Sequence, residues 1–560
     1  MKLVTTEEMR EIERAANEGG LGYATMMERA GQAVALAIKE RVDPPSARIL
    51  ILVGPGNNGG DGLVAGRYLH EWQCEVTIYI WKRDKDDDPN LARAQELQIP
   101  IIWATEDGAF QQLDALVREC NVLIDALLGT GVTGPLRGGL RDLLGAVHRS
   151  LAARATQPAA DGVSLRNILS PPDKGQRSGR PLLVAVDVPT GLHCDTGEID
   201  ELALDFDVTV TFAYPKRGHF LFPGASHVGE LLVADIGIDP KLAEGVAVEV
   251  AAPEQIASML PARPLDAHKG TFGKALIVGG SANYVGAPCL AAEAAYRVGA
   301  GLVTLAVPQR IHPIVAAKVT EPTFLVLPDD MGVLVPTALR VLAERIDDYD
   351  VLLVGPGLGT EPSTRDFCSG FISGQWQAGP KPIGFGVSRR SSQEPLRLPP
   401  LVLDADALNL LSGLDRWWER LPTESVLTPH PGEMARLVGC DVPTVQRDRI
   451  GTARRAACRW KCSVVLKGAY SVVASPEGTV TIIPFANPAL ATAGSGDVLA
   501  GAIVGLMAQG VPSFHAAICG AYLHGLAAEI RCEEYGQMGM LASDLLPLLP
   551  LAVKRASTPS

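Results

Sequence analysis

The chain has 560 residues, 47% of them hydrophobic and 20% charged, a composition that builds buried cores and excludes a disordered polymer. At about 100–200 residues per domain, the length divides into roughly two to four domains. With 50 Lys and Arg against 63 Asp and Glu the net charge is −13. That balance argues against non-specific nucleic-acid binding but leaves anionic small ligands open, because backbone amides bind them without net positive charge.

The opening MKLVTTEEMREIERA turns acidic at Glu7 and Glu8 and carries no apolar signal-peptide core. No stretch reaches the roughly 18 uninterrupted apolar residues of a membrane span. The ten cysteines are scattered, and Cys458 and Cys462 have neither CxxC spacing nor a second pair nearby. Buried reduced thiols in a soluble, cytoplasmic protein are expected, with small-molecule partners, no nucleic acid or membrane, and assembly into a homo-oligomer.

Thr5 or Thr6 is placed to cap a first amphipathic helix whose apolar positions include Met9, Ile12 and Ala15. Apolar β-branched runs ending in glycine loops then alternate with Ala/Leu-rich helical patterns at 47–69, 121–134, 181–192, 273–280, 350–360 and 400–411. This is the pattern of parallel sheets covered on both faces, so both halves are α/β. A connector near 240–268 separates them, which predicts domains at 1–245 and 250–555. Stretches 151–180 and 373–399, rich in Pro, Gly, Ser and Arg, read as surface insertions.

In the first half VGPGNNGGDGL (53–63) joins a strand to a helix. Its glycines allow close backbone approach, and the helix start favours an anionic group. The next strand, CEVTIYIW (74–81), runs into Lys82 and Arg83, where a dehydrogenase fingerprint wants an acid. Asp125 and Asp187 each end an apolar run, which puts carboxylates at the carboxyl edge of the sheet, where ligands bind. Such an Asp can equally cap the following helix. Asn58, Asp125 and Thr190 together would form an all-oxygen site for a hard cation.

NNGGDG, DALLGTG, VDVPTG and TFAYPKRGHFLFPG (211–224) resemble the YjeF N-terminal family, the NAD(P)HX epimerases, over about residues 1–240. The resemblance implies a Rossmann-like fold that interconverts the R and S forms of hydrated NADH or NADPH. Substrate would meet Asn57, Asn58, Gly59, Gly60 and Asp61, then Gly129, Thr130, Gly131, Val132, Thr133, Gly134 and Pro135, and Asp187 as the catalytic group. Asn58, Asp125 and Thr190 would hold a potassium ion. His193 and Cys194 depart from the family's usual DIPSGLDADTG, at positions outside the assigned site.

The second half carries ATAGSGDVLAGAIVGLMAQG (491–510), a glycine turn whose helix-start amides can form an anion hole beside Asp497. There an Asp can deprotonate a hydroxyl next to a phosphoryl group, although a helix cap is its plainer role. VGPGLGT (354–360), TPHPGE with His430 and Glu433, and LKGAYS with Lys467 follow other strands. Taken singly, His430 reads as a structural histidine and Lys467 as a solvated loop lysine.

With GGSANYVGAP and LDADALN (403–409), these motifs resemble the YjeF C-terminal family over about 255–550. Those are ADP- or ATP-dependent NAD(P)HX dehydratases related to the ribokinases. The resemblance implies a ribokinase-like three-layer α/β/α fold in which Asp497 is the base and Gly494, Ser495 and Gly496 stabilise the transferring group. Ala287, Gly357, His430 and Asp497 would touch the hydrate. Lys467, Gly468, Ala469, Tyr470, Ser471 and Gly496 would hold the adenine nucleotide, with a magnesium ion on its phosphates. A small-molecule kinase fused to a non-catalytic nucleotide-binding module is the rival reading, since AGSGD alone serves both.

Overall fold

A computed structural model of the chain describes residues 1–84, 88–131, 134–155, 180–374 and 398–557. The first helix runs Thr6–Glu18 and is capped by Thr5, whose hydroxyl accepts the Glu8 amide while Glu8 accepts the Thr5 amide. This reciprocal pairing satisfies two donors that a helix start leaves open. Its buried stripe is Met9, Ile12 and Ala16. Ala15, expected in that stripe, is only half-buried, because the four-residue step from Ile12 falls on Ala16.

The chain divides into two compact units, Lys2–Val246 and Ala247–Ser560 together with Met1. In the first, β1 (Arg48–Val53), β2 (Glu75–Ile80), β3 (Ile101–Trp103), β4 (Val122–Ala126), β5 (Leu182–Val186), β6 (Val208–Phe212) and β7 (Glu230–Ala234) form one parallel sheet. Its order is β3-β2-β1-β4-β5-β6-β7, a Rossmann-like arrangement. Chain order reverses between β1 and β4, so a crevice opens beyond their carboxyl ends. Helices on both faces explain why β4 and β6 are buried at every position.

The second unit holds β8 (Val248–Val250), β9 (Lys274–Val278), β10 (Leu302–Pro308), β11 (Thr323–Leu327), a hairpin of β12 (Asp329–Asp330) and β13 (Val333–Leu334), then β14 (Val351–Val354), β15 (Leu401–Leu403), β16 (Ser425–Leu427), β17 (Ser463–Leu466), β18 (Val472–Ala474) and β19 (Val480–Ile482). Ten of these form a sheet in the order β11-β10-β9-β14-β15-β16-β17-β18-β19-β8. It is parallel from β11 to β17 and antiparallel around β18. Its switch point lies between β9 and β14.

Helix Ser495–Ala508, which carries Asp497, packs against helix Gly286–Arg297 at backbone distance. A Cβ on Gly501 would stand 2.2 Å from the Ala291 carbonyl oxygen, and one on Gly505 2.6 Å from that of Ala295. Ala291, Ala295, Val498 and Ala502 fill the seam around them and are fully buried.

Two expectations change here. Seven cysteines are buried, but Cys440 and Cys458 are exposed and Cys532 is half-buried, so the thiols are not uniformly interior. Both exposed sulfurs follow from their places, Cys440 just beyond a helix end and Cys458 on the outer side of helix Arg449–Trp460. Residues 151–155 continue helix Gly139–Ala155, whereas most of both expected insertions, 156–179 and 375–397, lies outside the described residues. No described helix is long and apolar enough to cross a membrane.

Gly501→Ala is expected to lower stability by about 1–3 kcal/mol, since the helices have no room to separate without losing contacts. Urea unfolding of the full chain measures it, and an unchanged midpoint would mean that the seam yields freely.

Candidate functional site

In the first unit the glycine loop after β1 turns directly into helix Asn57–Glu71. Asn57 is exposed, while Asn58 and Asp61 are buried. Asn58 Nδ2 donates to the Leu128 carbonyl at 2.9 Å, and the Leu128 amide donates to Thr190 Oγ1 at 3.1 Å. Thr190 in turn donates to Asp125 through its hydroxyl at 2.8 Å and its amide at 2.9 Å. Asn58, Asp125 and Thr190 are thereby drawn into one network from three different strand ends.

Asp125 also accepts the Leu127 amide at 3.1 Å. Burial pushes its carboxyl up to about 6 against these hydrogen bonds. All three of its donors are neutral, so the carboxylate lacks a countercharge, which suits a cation.

Asp187 sits in the left-handed region at φ 62°, a conformation costly for a residue with a Cβ and frequent at functional sites. Its Oδ1 accepts Lys216 Nζ at 2.5 Å and Thr211 Oγ1 at 2.8 Å, and Lys216 also donates to Thr211 at 2.9 Å. Lys216 is only 1% exposed. Burial would raise the Asp187 carboxyl, but the Lys216 charge and these hydrogen bonds hold it below the ordinary carboxylate range. Asp61 moves the other way: burial, with Asp187 and Glu13 as like charges, holds it well above that range. Arg83 fills the place of the missing dehydrogenase acid and points back into the loop, donating to the Gly54 and Gly56 carbonyls at 2.9 and 3.0 Å and pairing with Asp88.

In the second unit Gly494, at φ 90°, caps helix Ser495–Ala508. Asp497 is therefore not the cap but lies in the first turn. Burial and the neighbouring Asp404 push its carboxyl up to about 7, with Lys467 opposing. Lys467 is no solvated loop lysine: it donates to Asp404 Oδ1 at 2.7 Å and lies 3.9 Å from Glu433. Burial would lower Lys467, yet Asp404 and Glu433 raise it. Thr428 donates to the same Asp404 oxygen at 2.6 Å.

His430 does have the structural role, as cap of helix Pro431–Val438, with Nδ1 accepting the Gly432 amide at 3.0 Å. Its other ring nitrogen still lies 3.3 Å from Glu433, whose carboxyl burial pushes up to about 7. Asp406 accepts the Gly359 amide at 2.9 Å, tying the loop after β14 to this cluster. Gly357 packs so closely on the next loop that a Cβ there would meet those of Tyr284 at 2.6 Å and Ala287 at 3.0 Å. After β17, Gly468 and Ser471 close on each other, the Gly468 amide donating to Ser471 Oγ at 3.2 Å. Ala469 is exposed and Tyr470 half-buried in the same turn.

Gly129, Thr130 and Gly131 follow β4, and a Cβ built on Gly129 would stand 3.3 Å from Asn58 Cβ, while one on Gly131 would stand 3.7 Å from an Arg10 guanidinium nitrogen. Gly134 and Pro135 are exposed further along, while Val132 and Thr133 lie outside the described residues. Sequence reasoning missed Lys216, Glu13 and Asp404 as site residues. Asp404 carried the same signal as Asp125 and Asp187, an apolar run ending in Asp. Lys216 stood inside a motif already singled out. Glu13 had no signal, because only tertiary packing turns the first helix toward Lys216 and Asp187.

Two α/β units, each with strand-end carboxylates around a lysine beside glycine loops, define a two-domain α/β protein. Residues 23–218 match the family model described as YjeF-related protein N-terminus, and residues 275–551 the one described as NAD(P)H-hydrate dehydratase. The bifunctional NAD(P)H-hydrate repair enzyme Nnr of Moorella thermoacetica is 38% identical over 99% of this chain and 97% of its own length. That of Salinibacter ruber is 36% identical over 95% of this chain and 92% of its own. The ADP/ATP-dependent NAD(P)H-hydrate dehydratase of Bacillus subtilis, co-crystallised with ATP/Mg2+, is 29% identical and covers 55% of this chain and 99% of its own, with a TM-score of 0.45. The chain belongs to the family of bifunctional NAD(P)H-hydrate repair enzymes.

Lys216→Met leaves Asp187 buried without its cation and is expected to cost the first unit about 3–5 kcal/mol. Thermal unfolding reads this as a lowered Tm, and an unchanged Tm would mean that Asp187 finds its compensation elsewhere.

Proposed function

We propose that the Lys2–Val246 unit interconverts the R and S forms of hydrated NADH and NADPH, and that the second unit dehydrates the S form at the expense of ADP or ATP. Both epimers then return to usable cofactor, which is why joining the two activities in one chain makes chemical sense. The observation that carries this reading is the similarity to a bifunctional repair enzyme over 99% of the chain. The charge arrangement in each crevice supports it independently.

In the dehydratase unit, Asp497 takes the proton of the C6 hydroxyl as that oxygen attacks the terminal phosphorus of the nucleotide, which leaves one phosphate shorter. The Ser495 and Gly496 amides and the Lys467 ammonium receive the charge of the transferring group. Loss of phosphate from C6, with a proton from C5, restores the double bond of the reduced ring. Ala287, Gly357 and His430 line the hydrate's side, and the Lys467–Ser471 turn takes the nucleotide. Glu433, a buried carboxylate facing this cluster, suits a magnesium ion, which would neutralise phosphate charge.

In the epimerase unit, Asp187 is the reacting carboxylate, and the loops Asn57–Asp61 and 129–135 enclose the dinucleotide. Asn58, Asp125 and Thr190 would hold a potassium ion, which supplies the positive charge that the neutral donors around Asp125 lack.

The test follows recovery of reduced-nicotinamide absorbance from a mixture of R and S hydrates with magnesium and ADP or ATP. The wild-type chain is expected to convert both epimers faster than spontaneous epimerisation allows. Asp187→Ala is expected to stall when the S form is consumed, and Asp497→Ala to give no recovery. No recovery by wild type with either nucleotide would remove the repair reading.

A second expectation concerns pH. Asp497 acts only when ionised and its carboxyl is pushed up to about 7. Dehydration of the S hydrate (kcat/KM) is therefore expected to rise with pH through about 7 and then level off. A profile flat across neutrality would exclude Asp497 as the base.

A further inference from the structure

Three carboxylates and one buried ammonium meet at the carboxyl ends of β1, β5 and β6: Glu13, Asp61 and Asp187 with Lys216. The ammonium is committed to Asp187, through the 2.5 Å contact that Thr211 completes. Arg83, the other cation facing Asp61, is tied to Asp88 and to the Gly54 and Gly56 carbonyls. Asp61 is 8% exposed, and among the described residues no hydrogen bond to its carboxylate is found. A carboxyl group with neither solvent nor a committed cation keeps its proton. Asp187, with its charge held by Lys216 and Thr211 at Oδ1, keeps Oδ2 for a reacting group.

We propose that Asp61 is the proton donor and Asp187 the proton acceptor of the epimerisation, with Lys216 as the residue that positions and charges Asp187. This assignment rests on the epimerase reading above. The C6 hydroxyl of the hydrate stands on a carbon bonded to the ring nitrogen N1, so its configuration can be lost by opening the C6–N1 bond. Asp187 Oδ2 removes the hydroxyl proton, the O–H electron pair forms a C6 aldehyde, and the C6–N1 pair passes to N1. Asp61 delivers its proton to N1. Rotation about C5–C6 then presents the other aldehyde face. N1 attacks C6 and returns its proton to Asp61, while Asp187 returns the hydroxyl proton to oxygen. Both carboxyls end as they began, and no other reactant is consumed.

The opposite displacements of the two carboxyls, Asp61 upward and Asp187 downward, agree with these roles. The other groups facing the pair do not compete. His219 is held neutral, pushed down to about 3 by burial and by Lys216. The Cys194 thiol is pushed up to about 12 by burial. Glu13 is raised by burial and answers to Lys216 and Arg10.

The experiment supplies purified R hydrate without nucleotide and follows formation of the S form by chromatography. Asp61→Asn mimics the protonated acid in shape and removes its proton. Epimerisation by this variant is expected to fall about 100-fold or more, with affinity for the R hydrate retained. Its nucleotide-driven dehydration of S hydrate should stay at the wild-type rate, which reports that the chain is folded. The wild-type pH profile of kcat/KM should be bell-shaped, falling at high pH as Asp61 loses its proton. Epimerisation by Asp61→Asn within a few fold of wild type, a profile without the alkaline fall, or loss of hydrate binding in step with loss of turnover would each overturn the donor role. Absence of epimerisation in the wild-type chain would instead remove the epimerase reading, and this assignment with it.

Discussion

In each half of this chain a lysine drawn in from another segment pairs with one strand-end aspartate, and the neighbouring carboxyls share what is left of its charge. Lys216 does this for Asp187 and Lys467 for Asp404. Removing a carboxylate and an ammonium from water is expensive, and the pair persists because each ion is hydrogen-bonded as well as paired. What the pairing leaves behind is as important as the pair itself. Asp61 in one unit and Glu433 in the other are buried, Asp497 is half-buried, and the desolvation of each carboxyl outweighs the partial charge that the paired lysine offers it. Carboxyls raised above their ordinary range are thus a by-product of how few cations each crevice contains.

The sheets put these groups within reach of one another. In a parallel sheet all strands end at the same edge, so the residue that terminates each apolar run emerges into a common crevice. Asp125, Asp187 and Asp404 come from strands far apart in sequence but at one edge within each unit. Backbone contact does the rest. The Gly501 and Gly505 seam fixes the helix that carries Asp497, and Gly357 lets the loop after β14 press against Ala287. A Cβ at Gly501, Gly505 or Gly357 would come within 2.2, 2.6 and 2.6 Å of a neighbouring atom, so these elements approach as they do only because the positions are glycine.

Much of this was legible before any fold was known. Apolar β-branched runs with glycine ends define buried parallel strands, because only strands covered on both faces can afford to be apolar throughout. The glycine loops, the Asp at the end of β4 and the Asp after β5 were readable for the same reason. Less legible were roles that depend on which side chain faces which. Taken singly, Lys467 reads as a surface lysine, and only the fold shows it paired with Asp404. His430 reads as a ligand contact, yet its ring also caps a helix, and one side chain serves both purposes. For Asp497 the sequence leaves a helix cap open beside the role of base, and Gly494 is seen to occupy the capping place.

The amino-acid sequence by itself determined the two α/β halves, their strand ends, their glycine turns and the family to which the chain belongs, because those properties are local in periodicity and composition. Only the tertiary structure decided the charge state of the carboxyls. Whether an aspartate is ionised depends on burial and on the nearest cation, and both come from distant segments. Lys216 lies 29 residues beyond Asp187 and Lys467 lies 63 beyond Asp404. Glu13 reaches the first crevice from a helix at the opposite end of its unit's sequence. No reading of neighbours along the chain contains these distances, and they set the chemistry.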